Sequence, residues 1–431
     1  QDWFGLIYCK ILPPKGLYLP VLPIKQKAGQ AHKLVFGLCR SCIQKVDMKC
    51  KHIKTTNVKC TDNCQIKDCS QCKLAKKIIK SKCQECYNIR NSNCQHTDSE
   101  RAITGFWTTV EVNKAIEVGY KIIDIYEVHH FNTTSTELWK QYIRKFLKIK
   151  LETSPFSCSE EEYRQKAKQQ EIELGELKPN PGQRYFSKIC LNSLWGKFGQ
   201  NIKASHKEYI DNEKDFYSVI TNDKIDNLAL SFVNNPSPLG IKNNTLVYVT
   251  YNDDINFIKT NFNTNVYIAC FTTSHARLRL YKMMELLGNA VCYCDTDSII
   301  YAENEENKKQ IEQYLGDSLG EWTDELNGKH MKLFCSAQPK DYGYVLSDDA
   351  IKGKVKGFRT SAETETQMTN ENRIKLITGS LDSISISQNT FSISKSQIFT
   401  EQMTKNWCSN FDKRVIIKNS DNDFDTVPYG Y

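Results

Sequence analysis

The alternation of apolar and polar residues predicts strands and helices in mixed order along the chain. Residues 1–36 alternate through WFGLIYCKILPP, turn at the following prolines and resume in LYLPVLP, which predicts a pair of strands. The next pattern, GFWTTVEVNKAIEVGYKIIDIYEVHHF, predicts a short helix over Val110–Val118 that ends at Gly119, and then a strand over Tyr120–Phe131. These elements indicate an α+β fold.

Helical periodicity is the clearest signal in the middle of the chain. Apolar residues of STELWKQYIRKFLKIKLE recur every three or four positions, which predicts a basic amphipathic helix over 135–152. A polar helix is expected over about 159–173, and another over RYFSKICLNSLWGKFGQ at 184–200. DFYSVITN, NTLVYVTY and VYIACFTT are typical of strands, and the last leads into a helix over SHARLRLYKMMELLG.

The stretch VCYCDTDSIIY, residues 291–301, predicts a hairpin with two carboxylates at its tip. Ionised carboxylates in an apolar, β-prone run cost free energy unless a cation compensates them. In an extended strand Asp295 and Asp297 face the same side, so both can bind one divalent metal ion. A solvated turn is the alternative, although apolar strands on both sides favour the metal site.

The helix expected at 184–200 carries a second set of candidate residues. Lys188 can hold a triphosphate as a point charge, and Asn192 can hydrogen-bond a base or sugar edge. Gly196 and Gly199 would let a nucleotide or template approach the backbone closely. An amphipathic helix whose lysine extends to solvent explains the same spacing and stays the alternative.

Positive charge and cysteine are concentrated in one segment. The chain has a net charge of +8, and residues 37–96 hold 13 Lys plus Arg against 4 Asp plus Glu, a local +9, together with 10 of the 18 cysteines. The charge favours contact with phosphate, and the crowded cysteines favour zinc over disulfides. The spacings Cys39-x-x-Cys42 and Cys94-x-His96 suit one zinc site. One or two further zinc sites could be formed by residues between these pairs: Cys50, His52, Cys60, Cys64, Cys69, Cys72, Cys83 and Cys86.

Zinc binding by this segment has an alternative, in which its cysteines are reduced and bind nothing.

The rest of the composition is ordinary for a globular protein, with 40% apolar residues. No apolar run approaches the roughly 18 residues that span a bilayer, and no leader opens the chain. We therefore expect an intracellular protein with no membrane partner, in a compartment that the sequence leaves open.

Two motifs carry a family resemblance. K-x-x-x-N-S-x-W-G-K-F-G-Q at 188–200 and Y-C-D-T-D-S at 293–298 resemble motifs B and C of family B DNA polymerases. Trp195, CFTTSHARLRLY and the closing TVPYGY make the chain similar to the protein-primed subgroup, especially polymerases of Polinton/Maverick-type mobile elements and their viral relatives. The resemblance runs over nearly the whole chain. It implies DNA replication by transfer of deoxynucleotides to a primer hydroxyl or, at initiation, to a protein hydroxyl.

The resemblance also implies roles for single residues. Asp297 matches the metal-binding aspartate of motif C and Asp295 its auxiliary partner, in a site that holds two magnesium ions in the complete enzyme. The implied partners are template and primer DNA, deoxynucleotide triphosphates and a terminal priming protein. The implied nucleotide-binding residues are Arg184, Lys188, Asn192, Trp195 and Gly196, and the implied DNA contacts are Thr273, Arg277, Lys340 and Tyr342.

The implied fold is the right-hand polymerase of palm, fingers and thumb, with a Cys-rich zinc-binding insertion in the palm region. The expected division is palm strands at 1–36, the basic Cys-rich insertion at 37–105, palm or a first protein-priming insertion at 106–134, fingers with motif B at 135–205, a second insertion and palm at 206–265, palm with motif C and the K-x-Y element at 266–360, and thumb at 361–431.

The chain departs from the family pattern in its first catalytic motif. No D-x-x-S-L-Y-P motif A is found, because GLYLP at 16–20 lacks the aspartate and the serine. The chain opens at Gln1 on strand-like residues, so we expect a fragment without motif A and the exonuclease domain that extends no primer alone. The alternative is a non-catalytic, zinc-containing nucleic-acid-binding remnant of such a polymerase. The coding sequence upstream of Gln1 would distinguish the two.

Overall fold

The computed structural model interleaves helices and strands along the sequence, as the hydrophobic pattern predicts. It describes residues 3–431 except 29–30, 46–93, 157, 202–204, 235–244, 255, 258–263, 317–318, 360, 379, 395–396, 410–412 and 421–422. The mixed α and β composition is confirmed for this part of the chain.

The elements of the described residues are numbered here in chain order. The strands are β1 (Gly5–Leu12), β2 (Pro23–Ala28), β3 (Ala31–Phe36), β4 (Ile103–Thr108), β5 (Lys121–His130), β6 (His206–Ile210), β7 (Ile225–Asn234), β8 (Thr245–Asp253), β9 (Val291–Asp295), β10 (Ser298–Tyr301), β11 (Met331–Gln338), β12 (Asp341–Leu346), β13 (Ile351–Val355), β14 (Ile384–Ser394), β15 (Gln397–Trp407), β16 (Val415–Ser420) and β17 (Asp423–Val427). The helices are α1 (Arg40–Lys45), α2 (Asp98–Arg101), α3 (Thr109–Glu117), α4 (Lys140–Glu152), α5 (Glu160–Gln169), α6 (Pro181–Phe198), α7 (Glu213–Ile220), α8 (Val266–Leu287), α9 (Glu305–Glu312), α10 (Ala362–Gln367) and α11 (Asn370–Thr378).

The strand pairs among the described residues are antiparallel. Three sheets have three strands each, in the orders β4-β1-β5, β6-β8-β7 and β11-β12-β13. The other pairs are the two-stranded hairpins β2-β3, β9-β10, β14-β15 and β16-β17. Antiparallel hairpins of this kind need only short connections, which is consistent with strands that follow one another in sequence.

The first core forms where strand β1 lies between β4 and β5. Alternate residues of β1 are buried, among them Ile7 and Ile11, as the period of two requires. Helix α3 covers this face with Val112, and α8 adds Tyr281 to the same core. Tyr281 Oη also donates a hydrogen bond of 2.8 Å to the carbonyl of Leu19. Helix α8 is therefore fixed to the first sheet.

Helix α6 begins three residues before its expected start. Asn180 caps it, since its Oδ1 accepts a hydrogen bond of 3.1 Å from the backbone N–H of Gln183, and Pro181 occupies the first helical turn. The helix packs on α4, where the Tyr142 hydroxyl donates a 3.1 Å hydrogen bond to the carbonyl of Cys190. This packing orients the other face of α6 to solvent.

Two segments expected as strands are helical. VYIACFTT forms the first turns of α8, which is capped by Asn265, whose Oδ1 accepts a 3.1 Å hydrogen bond from the N–H of Ile268. DFYSVITN lies in α7, which Asn212 caps in the same way. Both predictions were wrong because β-branched and aromatic residues favour strands only weakly, whereas a cap and tertiary packing decide the local structure.

LYLPVLP is not a strand either. Val21 and Leu22 are buried there without a strand partner, and pairing begins only at Pro23, in β2. Proline has no N–H to donate to a ladder, so a segment with prolines at 20 and 23 pairs poorly. The other expected elements are present with ends shifted by a few residues: β1, α3, β5, α4, α5, α6, β8, the helical part of α8 and the hairpin β9-β10.

Candidate functional site

The two aspartates of DTD lie at the tip of the hairpin β9-β10. Strand β9 ends at Asp295 and β10 begins at Ser298, so Thr296 and Asp297 form a two-residue turn. Thr296 has φ of +53°, a left-handed conformation that is uncommon for a β-branched residue. The N–H of Asp297 donates a 2.6 Å hydrogen bond to the carbonyl of Asp295. Because Asp297 belongs to this turn, the strand alternation used to pair the two carboxylates does not extend to it.

The K-x-Y element lies against this hairpin. Lys340 Nζ donates to both carboxylate oxygens of Asp295, at 2.8 and 2.9 Å, and its backbone N–H donates a 2.8 Å hydrogen bond to the hydroxyl of Tyr293. The ring centroids of Tyr293 and Tyr342 are 5.3 Å apart. The structure thus brings Asp295, Lys340 and Tyr342 together. Asp297 is exposed to solvent at the same tip.

Asp341, the middle residue of the K-x-Y element, is buried beneath it. Its side chain is 0% exposed and accepts hydrogen bonds of 2.8 Å from Arg373 Nε and 2.6 Å from Trp407 Nε1. Arg373, which is 1% exposed, lies on α11, and Trp407 ends β15. These contacts fix the start of β12 to both elements. Asp341 was not among the predicted site residues, and its one local signal is a carboxylate at an inward position of a strand.

The candidate nucleotide-binding residues of α6 lie along one face. Arg184, Lys188, Asn192 and Trp195 are all exposed, and their spacings of four, four and three residues place them on successive turns. Trp195 remains 41% exposed, which leaves a large apolar surface on this face of the helix. Arg184 Nε donates a 3.0 Å hydrogen bond to the hydroxyl of Ser154, just after α4.

The two glycines of the α6 motif have different surroundings. A side-chain carbon added at Gly196 would meet nothing within 4 Å, so the backbone there is open to an approaching ligand. A carbon added at Gly199 would lie 3.0 Å from Cβ of Ala269, so this glycine allows α8 to pack closely. Of the two, only Gly196 has the open surroundings that were expected.

Lys150 is a third cation beside Arg184 and Lys188 that sequence reasoning did not assign to this site. Burial lowers the pKa of Lys150, and the positive charges of Arg184 and Lys188 lower it further. Within the described part of the chain, no ion pair joins these three residues to a carboxylate. Three cations gathered across α4 and α6 without a counter-charge suit a polyanion such as a triphosphate.

The two candidate DNA contacts on α8 are held by local and buried partners. Thr273 Oγ1 donates to the carbonyls of Ala269 and Cys270, at 3.1 and 2.9 Å. Arg277 Nε donates a 2.8 Å hydrogen bond to the carboxylate of Glu111, which is buried. The same carboxylate accepts a 2.7 Å hydrogen bond from Ser274. Arg277 is therefore held through its Nε by Glu111, which lies 166 positions away in sequence and was not among the predicted site residues.

Cys39, Cys42, Cys94 and His96, here called the Cys/His group, come together as predicted. Their ligand atoms all lie within 4.8 Å of one another. His96 Nδ1 is 3.4, 3.3 and 3.4 Å from the three sulfurs in that order, and the sulfurs of Cys42 and Cys94 are 3.7 Å apart. A zinc ion with bonds of about 2.3 Å to sulfur and about 2.0 Å to nitrogen gives tetrahedral edges of roughly 3.5 and 3.8 Å. The geometry therefore suits a tetrahedral metal ion.

Hydrogen bonding within the Cys/His group also favours a thiolate. The hydrogen bond from the Cys42 thiol lowers the pKa of Cys39 to about 5, and the N–H of Cys42 adds a 3.4 Å hydrogen bond to the same sulfur. The pKa of Cys42 is raised in turn, because it holds the shared proton. The remaining candidate zinc ligands lie outside the described residues: Cys50, His52, Cys60, Cys64, Cys69, Cys72, Cys83 and Cys86.

None of the helices in the described part of the chain combines the length and the apolar character needed to cross a membrane.

Comparisons with known proteins give the family. A curated protein of Agaricus bitorquis named "Probable DNA polymerase" is 25% identical over an alignment 302 residues long, which covers 64% of this chain and 32% of the relative. The chain thus spans about a third of that relative's length. Among solved structures, "Phi29 DNA polymerase complexed with primer-template DNA (post-translocation binary complex)" is similar with a TM-score of 0.44 and 16% identity, over 71% of this chain and 45% of that one.

The family described as DNA polymerase type B, organellar and viral, matches residues 48–287. This range is more than half of the 431 residues, includes α6 and α8, and ends just before the hairpin β9-β10. The match confirms the resemblance that the α6 and DTD motifs indicate. The chain belongs to the organellar and viral type B DNA polymerases.

Proposed function

We propose that this chain carries the primer- and nucleotide-binding parts of a template-directed DNA polymerase with the palm, fingers and thumb arrangement. In this reaction the primer 3′-hydroxyl attacks the α-phosphate of a deoxynucleotide triphosphate, a new phosphodiester bond forms, and pyrophosphate leaves. The observation that carries the proposal is the convergence of Asp295, Lys340 and Tyr342 at one hairpin tip, with Lys340 Nζ 2.8 Å from the carboxylate. Family membership supports the same reaction.

The carboxylates at the tip suit magnesium. Magnesium binds through one or two carboxylates together with substrate phosphates and water, and the exposed Asp297 carboxylate is accessible to such an ion. Bound there, the metal would neutralise charge on the reacting phosphates. Asp295 is held by Lys340 until a phosphate offers the lysine another partner. Once Lys340 binds the phosphate, the released Asp295 carboxylate would become the second ligand of the metal ion.

The cations across α4 and α6 are the proposed triphosphate site. Lys188 and Arg184 are exposed, and burial together with the positive charges of both lowers the pKa of Lys150. A triphosphate would relieve that repulsion and gain charge-assisted hydrogen bonds. Asn192, Trp195 and Gly196 continue the same face and would contact the base of the incoming nucleotide, since the indole is a stacking surface and Gly196 leaves the backbone open.

The remaining assignments belong to the same proposal. Lys340 and Tyr342 would hold the primer end, and Thr273 and Arg277 would contact DNA. Priming by a terminal protein, in a mobile element or virus, follows from the subgroup that the α6 motif resembles. The proposed domains are palm at 1–36 and 266–360, palm or a first protein-priming insertion at 106–134, fingers at 135–205, a second insertion and palm at 206–265, and thumb at 361–431. Zinc would bind the Cys/His group of the insertion at 37–105.

Primer extension tests this proposal. The polypeptide encoded by the complete reading frame is compared with its variants Asp297→Asn and Asp349→Asn, using a primer-template, deoxynucleotides and Mg²⁺. Loss of the metal-binding carboxylate should reduce extension by about a hundredfold or more. Asp349 is an exposed aspartate paired with Lys332 at 2.8 Å, away from the tip, so its variant should extend primers normally.

Two results would contradict the proposal. Extension by Asp297→Asn at the unaltered rate would remove the hairpin tip from catalysis. DNA binding without any extension by the unaltered polypeptide would favour the non-catalytic nucleic-acid-binding alternative.

A further inference from the structure

Building on the zinc binding already proposed for the Cys/His group, we propose that this zinc ion is structural and that it fastens the C-terminal hairpin β16-β17 to the N-terminal part of the chain. Three thiols and one imidazole complete a tetrahedral shell and leave no open position for a substrate, which is typical of structural zinc. The inference does not depend on polymerase activity, because none of its contacts involves the hairpin β9-β10.

The two halves of the Cys/His group come from segments far apart in sequence. Cys42 and Cys94 are separated by 52 positions, so the ion would close a long loop at its base. A hydrogen bond of 3.1 Å already joins the two sides, from the Ser41 hydroxyl to the carbonyl of Glu100. Buried Arg101 donates another, of 2.9 Å, to the carbonyl of Pro13, which fixes the side of Cys94 and His96 beside the end of β1. The ligands are thus arranged by the fold, and the metal would lock that arrangement.

The C-terminal residues lie directly on the first metal ligand. The N–H of Leu38 donates a 2.7 Å hydrogen bond to the carbonyl of Tyr429. Gly430 has φ of +84°, and a side-chain carbon added there would lie 2.3 Å from Cβ of Cys39. The backbone at 430 can therefore approach this closely only because the residue is glycine. Any movement of Cys39 on loss of metal would displace the C-terminal segment.

Apolar packing joins the same elements. Ile43 of α1 lies in a buried cluster with Val415 and Val427 of the C-terminal hairpin, and Cys42 packs against that cluster. A two-stranded hairpin is at best marginally stable on its own. The hairpin β16-β17 therefore depends on the surface that β3 and α1 offer it. Because Cys39 and Cys42 lie at the start of α1, the metal would hold that surface in place.

Zinc content of purified protein is the first test. Cys94→Ala removes one ligand, His96→Cys replaces the imidazole with another zinc ligand, and Cys158→Ala is a matched control outside the group. We expect Cys94→Ala to contain one zinc ion per chain less than the unaltered protein. His96→Cys and Cys158→Ala should retain it. The difference in zinc content between the variants reports this site alone, whatever zinc the rest of the chain binds.

Hydrogen exchange tests the fastening. Chelation of zinc from the unaltered protein should speed amide exchange in β16 and β17 by about tenfold or more, while β14-β15 exchanges as before. Added zinc should slow amide exchange in β16 and β17 again. Because this test uses the unaltered protein, it remains valid if Cys94→Ala does not fold. An unchanged zinc content in soluble Cys94→Ala would overturn the site. Zinc removal that leaves exchange of β16 and β17 unaltered would overturn the fastening.

Discussion

Two neighbouring residues at the start of β12 form ion pairs of opposite character. Lys340 pairs with Asp295 at 2.8 Å in a partly solvated position, where the two side chains are 46% and 29% exposed. Asp341 pairs with Arg373 at the same distance, but these side chains are 0% and 1% exposed. The first pair lies at the proposed catalytic tip, and the second lies beneath it.

This difference in exposure means that the Lys340–Asp295 pair can be replaced by other partners, whereas the Asp341–Arg373 pair is structural. A solvated pair contributes about 0–1 kcal/mol, so a phosphate or metal ion can take the place of either partner at little cost. Breaking a buried pair leaves an uncompensated charge and costs about 3–5 kcal/mol. Asp341 also accepts a 2.6 Å hydrogen bond from Trp407, which ties β12 to β15. The buried Asp341–Arg373 pair would thereby position Lys340 beside Asp295.

The largest effect is expected for Asp341→Asn. The variant keeps the shape of the side chain but leaves Arg373 buried without its counter-charge, so the free energy of unfolding should fall by about 3–5 kcal/mol. Urea unfolding followed by circular dichroism measures the change. Asp349→Asn is the matched control, since it removes an exposed carboxylate and should alter stability little. An equal fall in the free energy of unfolding of Asp341→Asn and Asp349→Asn would contradict the difference between the buried and the solvated pair.

A small effect is expected for Lys340→Met. The apolar stem remains and only the solvated charge is lost, so the free energy of unfolding should change by less than about 1 kcal/mol. The same urea titration applies, with Lys332→Met as control because Lys332 also pairs with an exposed aspartate. A loss as large as that of Asp341→Asn would show that the pair at the tip is structural after all.

Local sequence signals predicted the parts of the site that depend on short-range spacing. The hairpin at 291–301, the exposed face of α6 and the two halves of the Cys/His group each lie within a few consecutive residues. Residue type and period suffice for such features. Whether the named residues act on nucleotide or DNA stays a prediction.

The parts that sequence reasoning missed depend on distant partners. Asp341 meets Arg373 across 32 positions and Trp407 across 66, and Glu111 meets Arg277 across 166. No local pattern shows which charge will face a buried carboxylate. The first turns of α8 were missed for a related reason. VYIACFTT favours a strand by composition, but the Asn265 cap and the packing of Ala269 on Gly199 make it helical.

The measurement that most directly tests the hairpin tip as a metal site is Mn²⁺ binding in the presence of dATP, followed by electron paramagnetic resonance. Mn²⁺ shares the oxygen ligands of Mg²⁺. Asp297→Asn should weaken this binding by about tenfold or more, whereas Lys340→Met should keep or tighten it because a competing cation is gone. Equal Mn²⁺ affinity in the unaltered chain and in Asp297→Asn would contradict a metal site at the hairpin tip.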